Sequence, residues 1–172
     1  LGGAAVLVVL ARAILRHRRA SMPVALAITA VGLLATGALL AWQWCTVRDE
    51  RPVVTMAGMV RVDPFGVFLG IVVVIATALA VLVSVAYLRR ENLEGPEYLA
   101  LMLFSSLGMV IMTTANDLIV VFLALEILSI PLYVLAAFDR RRLNSQEAGI
   151  KYFVLGAFSS AIFLYGIALV YG

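Results

Sequence analysis

Apolar residues fill this chain in long runs separated by short polar interruptions, and they show neither the alternation of a half-buried strand nor the one-sided stripe of a soluble helix. Runs of this length fit helices that bury all their sides in hydrocarbon, where roughly 20 residues span the core of a bilayer. Six are legible, at about 1–15, 23–45, 64–88, 96–114, 117–138 and 146–172. The first is too short to cross and is expected to be the last part of a helix. Pro23 and Pro96 sit where second and fourth spans begin, and "DPF" at 63–65 places Asp63 as N-cap with Pro64 in the first turn of the third. Proline suits that place because its missing N–H would be unpaired there anyway. Between spans two and three, "TVRDERPVVTMAGMVRV" reads as a polar loop; before span six, Asn144 with Glu147 three residues on fits a capping box. The fold class predicted is an all-α polytopic membrane bundle of about six transmembrane helices, forming a single transmembrane domain over 1–172.

Composition agrees. The chain is 64% hydrophobic and 13% charged, against roughly 45–50% and about 25% in soluble domains. A net charge of +3 with pI near 9.4 could point to nucleic acid, but the basic residues lie between apolar runs, where they act as topology signals, so no nucleic-acid partner is expected. Arg16, Arg18 and Arg19 mark one loop, Arg89 and Arg90 a second, and Arg140, Arg141 and Arg142 a third. The "TTAND" turn at 113–117 carries no base. That alternation puts the three arginine loops in the cytoplasm and the other loops outside. Arg48, Arg51 and Arg61 dissent mildly, diluted by Asp49 and Glu50, while Trp42 and Trp44 fall where an outer aromatic belt belongs. A lone Cys45 allows no internal disulfide, His17 has no second ligand, and neither a metal site nor a cofactor-binding motif is expected in this chain. The opening "LGGAAVLVVLARAIL" lacks a signal-peptide pattern, and both ends lie within apolar runs, so a piece of a longer protein is expected.

One carboxylate breaks the apolar pattern. In "DLIVVFLALEILSIPLYVLAAF", 117–138, Glu126 is the only acidic or basic side chain near the centre of a span. Holding a charge at that depth costs at least about 2.5–3.5 kcal/mol on insertion scales, and intramembrane acids mostly face a bundle interior or a water cavity and mark proton or ion paths. Desolvation favours the neutral acid and a nearby cation favours the carboxylate, an opposition a switchable proton site can use. The alternative is a structural acid hydrogen-bonded to a neighbouring helix. Pro131, five residues on, removes a backbone bond and crowds the carbonyl of Ile127, predicting a kink beside Glu126; the alternative is a tolerated membrane proline.

Lys151 is the single lysine among thirteen basic residues, and lysine changes its protonation state far more readily than arginine. Its position fits a proton site or a lysine snorkelling to the interface equally. Glu126 lies roughly 16 Å from the inner end of its span, so no direct pair with Lys151 is expected within this hairpin. Glu147, four residues before Lys151, reads by default as a cap and a surface ion pair. "LGAFSSAIFLYG" places Gly156, Ser160 and Gly166 for close helix contact, and Met102, Met109 and Met112 read as gap fillers.

Together "VDPFGVFL", "EYLALMLFSSLGMVIMTTANDLIVVFLALEILSIPLYVLAAF" and "SQEAGIKYFVLGAFSSAIFLYGIALVYG" resemble the N-terminal part of the antiporter-like membrane subunits of respiratory complex I, the proton-pumping NADH–quinone oxidoreductase, and within that family its subunit N. The resemblance covers about 60–172; the first two spans fit by hydropathy alone. It implies a fold of about fourteen helices in two inverted halves. It also implies proton translocation coupled to quinone reduction elsewhere, with no redox chemistry in this chain. NADH, flavin, iron–sulfur clusters and quinone would belong to other subunits, and the partners would be other complex I membrane subunits and the lipid bilayer. In such subunits an acid on the fifth helix pairs with a lysine on the seventh. Glu126 matches that acid, Lys151 a lysine at the start of helix six, and Glu147 an acid beside it, which makes Glu126 and Lys151 the expected proton pathway with Glu147 secondary. The other readings are the large subunit of a multisubunit cation/proton antiporter and a structural membrane scaffold with inert charges.

Overall fold

A computed structural model describes residues 1–14, 21–47, 52–91, 93 and 95–172, without the side chains of 12–14 and 21. The arginine cluster at 16–19 and the charges at Arg48, Asp49, Glu50 and Arg51 lie outside the described residues. The elements in order are α1 (Gly2–Ile14), α2 (Ser21–Val47), β1 (Val53–Thr55), β2 (Val60–Val62), α3 (Pro64–Arg90), α4 (Pro96–Thr113), α5 (Leu118–Ala136) and α6 (Leu143–Tyr171). Helices α2 to α6 are the five long and apolar enough to cross a membrane; α1 carries a shorter apolar stretch, Gly2–Ala11.

The start of α3 follows its sequence. Asp63 adopts an extended backbone and its Oδ1 accepts the Gly66 N–H at 2.7 Å, with Pro64 opening the helix. A Cβ on Gly66 would lie 2.5 Å from the carbonyl oxygen of Thr113, so glycine is what lets the first turn of α3 rest on the end of α4.

Helix α4 is the hub, packed on α1, α2, α3 and α5, while α6 packs on α5. Ala5 and Val8 of α1, Leu33 and Leu40 of α2, Val67 and Val74 of α3, and Leu99 and Leu103 of α4 form one buried cluster. At Gly108 the backbones of α4 and α5 nearly touch: a Cβ there would meet the Leu128 nitrogen at 2.4 Å and the Ala124 oxygen at 2.7 Å. Small residues are how helices approach in lipid, where no hydrophobic force drives them together. Outward, large apolar side chains such as Leu34, Leu82, Leu155 and Leu169 stand exposed. Apolar surface on that scale is incompatible with water and fits lipid or other membrane helices. The chain is an integral membrane protein.

The segment read as a polar loop is a β-hairpin. β1 and β2 pair antiparallel, Val53 opposite Val62 and Thr55 opposite Val60, around a tight turn in which Met56, Ala57 and Gly58 all have positive φ (50°, 54° and 93°). Side chains at the first two positions disfavour that conformation, so no turn signal is legible at Met56 and Ala57. The hairpin is anchored to the α4–α5 turn: Arg61 N–H donates to the Thr114 oxygen at 2.9 Å, Asn116 N–H to the Met59 oxygen at 2.9 Å, and Asn116 Nδ2 to the Gly58 oxygen at 2.8 Å.

At the opposite end, the α3–α4 and α5–α6 connections are tied by Arg142 Nη2 to Glu91 Oε2 at 2.6 Å and Arg141 Nη2 to the Glu91 carbonyl at 2.8 Å. Asp139 accepts from Arg141 Nε at 3.0 Å, and that bond holds its carboxyl below the usual aspartate value. Loops that alternate along the chain thus meet at opposite ends, as a membrane weave requires.

Candidate proton site on α5 and α6

Contacts define the faces of α5. Ala124 and Leu128 lie against Gly108 of α4. On the other side, the Phe122 ring lies 6.2 Å from Phe163 of α6, and Tyr133 packs edge-on against Tyr152 at 4.9 Å and Phe153 at 5.8 Å. Residues three, four and seven apart share a helix face, so Glu126, four after Phe122 and seven before Tyr133, stands on the α6 face. Its residue is half-buried, and Oε1 is fully buried with no hydrogen-bond partner. A buried carboxylate oxygen without a donor is costly; the same oxygen can take a proton or accept from water.

Downstream, α5 runs unbroken through the buried Pro131. Ser129 Oγ donates back to the Leu125 carbonyl at 2.6 Å. Pro131 can donate nothing to the Ile127 carbonyl, so the turn that carries Glu126 has weakened internal bonding on its Ala136 side.

Lys151 and Glu147 are brought together and turned elsewhere. Lys151 Nζ lies 2.5 Å from Glu147 Oε1, with the two side chains 69% and 62% exposed. The α6 positions that touch α5 are Gly149 on Ala137, Gly156 on Tyr133, and the rings of Tyr152, Phe153 and Phe163. By helical spacing Glu147 and Lys151 fall on the opposite side of α6. Within this chain Lys151 therefore does not face Glu126.

The expected capping box does not form. α6 begins at Leu143, with Arg142 at the N-cap and no side chain capping it, so Asn144 and Glu147 already lie inside the helix. Other side chains close this corner: Ser145 Oγ donates to the Ala136 carbonyl at 2.8 Å and Gln146 Nε2 to the Arg140 carbonyl at 2.7 Å. Lys151 consequently sits about two turns into α6. Of the small residues expected to give close contact, Gly156 does, since a Cβ there would collide with the Tyr133 hydroxyl, whereas Gly166 has open space around it.

Sequence reasoning passed over a group of hydroxyls between α5 and α6. Ser129, Tyr133, Tyr152, Ser159 and Ser160 line one cleft between α5 and α6. The spacing of Phe122, Glu126, Ser129 and Tyr133 was the available signal, because it puts acid and hydroxyls on one helical face.

Residues 115–172, which carry all of these side chains, match the model of the family described as NADH:quinone oxidoreductase/Mrp antiporter, TM. NADH-quinone oxidoreductase subunit N of Azorhizobium caulinodans is 42% identical over 171 residues, which is 98% of this chain and 34% of that protein. The chain belongs to the family of NADH:quinone oxidoreductase/Mrp antiporter membrane subunits. Subunit N of Myxococcus xanthus is 45% identical over 84% of this chain and 27% of its own length. Among solved structures, a chain of respiratory complex I from Thermus thermophilus superposes with a TM-score of 0.75 at 29% identity, covering 98% of this chain and 35% of that one. A chain of the membrane-bound sulfane sulfur reductase, an archaeal respiratory membrane complex, does so with 0.75 at 25% identity. This antiporter-like chain thus spans about a quarter to a third of the length of the curated relatives it matches.

Proposed function

We propose that this chain is part of a proton-translocating subunit in the membrane arm of a bacterial NADH–quinone oxidoreductase, and that Glu126 is its proton-exchanging acid. The observation that carries the reading is the Glu126 carboxylate, set mid-span in α5 with one oxygen buried and unpartnered. Moving one charge through the membrane field takes about 2.3 kcal/mol per 100 mV. A group that carries a proton through part of that field does work on this scale. The partners are other membrane subunits of the complex, with the arginine loops on the cytoplasmic side of the inner membrane. NADH, flavin, iron–sulfur clusters and quinone are assigned to other subunits.

Glu126→Gln keeps the shape of the side chain but cannot change charge. In the assembled complex it should lower NADH-driven proton uptake into membrane vesicles and slow the coupled quinone reduction, with assembly intact. Glu126→Asp should retain part of the activity. Full pumping by the glutamine variant would reduce Glu126 to a structural acid and end this reading. The family description also includes the Mrp antiporters, which supports a second reading as a cation/proton antiporter subunit. Sodium-dependent proton exchange without NADH oxidation by the purified assembly would favour it.

A further inference from the structure

We propose that the cavity where α4 begins, α5 ends and α6 begins binds an aminophospholipid, with its phosphate on Arg140, its ammonium on Glu97 and one acyl chain between α5 and α6. The cavity, about 590 Å³, has the size of a ligand site, and its lining includes Glu97, Leu101, Val134, Arg140, Ile150 and Phe153. Its two charges are opposite in sign and stand at one level. Glu97 lies in the first turn of α4 and Arg140 just follows α5, at the end of the bundle where Arg142 meets Glu91. The walls deeper in the bundle are apolar and open. Val134, Ile150 and Phe153 are 47%, 66% and 55% exposed.

Arg141 and Arg142 are committed to Asp139 and Glu91, whereas among the described residues Arg140 pairs with no carboxylate. Its backbone is fixed on both sides: the N–H donates to the Phe138 carbonyl at 3.1 Å, and the carbonyl accepts from Gln146 Nε2 at 2.7 Å. A guanidinium matches phosphate oxygens with paired donors. The depths also fit a lipid. Leu101 lies one turn, about 6 Å, deeper than Glu97, and Val134 lies in the last turn of α5. A headgroup layer is about 5–7 Å thick on each side of the hydrocarbon, so a molecule with its charges at the Arg140 level has its chain against the apolar walls. The carboxylate selects the headgroup. Phosphatidylglycerol would set its phosphate beside Glu97 with no cation of its own, while the ammonium of phosphatidylethanolamine brings three N–H donors to that carboxylate.

The site does not depend on the role of Glu126, and its test does not depend on pumping. The probe is phosphatidylethanolamine with a diazirine in its acyl chain, added in trace to phosphatidylcholine vesicles that hold the intact complex. On illumination it should label the peptides of Val134 and Phe153 at least about fivefold more than any other span of this chain. Unlabelled phosphatidylethanolamine should suppress that labelling several-fold, whereas phosphatidylglycerol, or glycerophosphoethanolamine without chains, should not. Arg140→Gln should lower the labelling several-fold and Arg140→Lys by less. Glu97→Gln should keep the labelling but let phosphatidylglycerol compete as well as phosphatidylethanolamine. Labelling no stronger than on the other spans would mean ordinary bilayer lipid, and none at all would mean that another part of the complex covers the groove. Either result overturns the site. Equal competition by the two lipids against the unaltered chain would overturn the pairing of Glu97 with the ammonium.

Discussion

The Tyr171 hydroxyl donates a 2.7 Å hydrogen bond to Asp117 Oδ2, joining the last turn of α6 to the residue that caps α5, 54 positions away. The other oxygen of Asp117 accepts the Ile119 N–H at 2.8 Å. One carboxylate thus both starts α5 and fastens the far end of α6 to it, so that Glu126 and the serines of α6 keep their register.

These two bonds, that from Tyr171 first, hold the Asp117 carboxyl below the usual aspartate value. A carboxyl depressed in the folded state stabilises it above the unfolded pKa, about 3.9, and that contribution disappears as pH falls through the lower folded value. Protection of the Ile119 amide, its exchange rate relative to a free amide at the same pH, should therefore hold from neutral pH down to about pH 4 and fall only below it. Tyr171→Phe should move that loss of protection to higher pH. An unchanged profile in that variant would show that the Tyr171 bond does not hold the cap.

Close approach between helices gives a second test. Gly108→Ala forces α4 and α5 apart, since the new Cβ would meet the backbone at Leu128 and Ala124. Overpacking of this kind costs about 1–3 kcal/mol. Gly166→Ala, with nothing within 4 Å of its Cβ, should be neutral or stabilise by up to about 1 kcal/mol. Heating the purified assembly and following retention of this chain should separate the two. Equal retention temperatures would mean that the α4–α5 contact relaxes without cost.

The spans and the place of Glu126 within one were legible because bilayer thickness and the cost of charge in hydrocarbon leave few alternatives. Asp63 and Pro64 declared the start of α3 because the capping oxygen is local. Features made by contact across the bundle were not legible. Met56 and Ala57 carry the positive φ angles of the hairpin turn without being turn residues, and Arg142 begins α6 with no capping side chain. Both are held by distant partners: Thr114 and Asn116 for the hairpin, Glu91 for the arginines. The hydroxyl-lined cleft was hidden for the same reason, since Ser129 and Ser160 are unremarkable residues until α5 and α6 pack.

Lys151 poses the remaining choice, because its ion pair with Glu147 faces away from α5 and both side chains are exposed in this chain. An exposed pair is worth under about 1 kcal/mol, so Glu147→Gln should leave pumping largely intact. Lys151→Arg is the sharper change. Arginine keeps the positive charge, can reach Glu147 and snorkels as well as lysine, yet it does not release its proton at any working pH. If Lys151 only anchors α6 at the interface, arginine replaces it without loss. If it takes and gives a proton, pumping falls although assembly and the ion pair survive. The second outcome is expected, since the lone lysine, unlike the twelve arginines, can give up its proton. Proton uptake normalised to assembled complex decides it, and wild-type pumping by Lys151→Arg would remove Lys151 from the proton path.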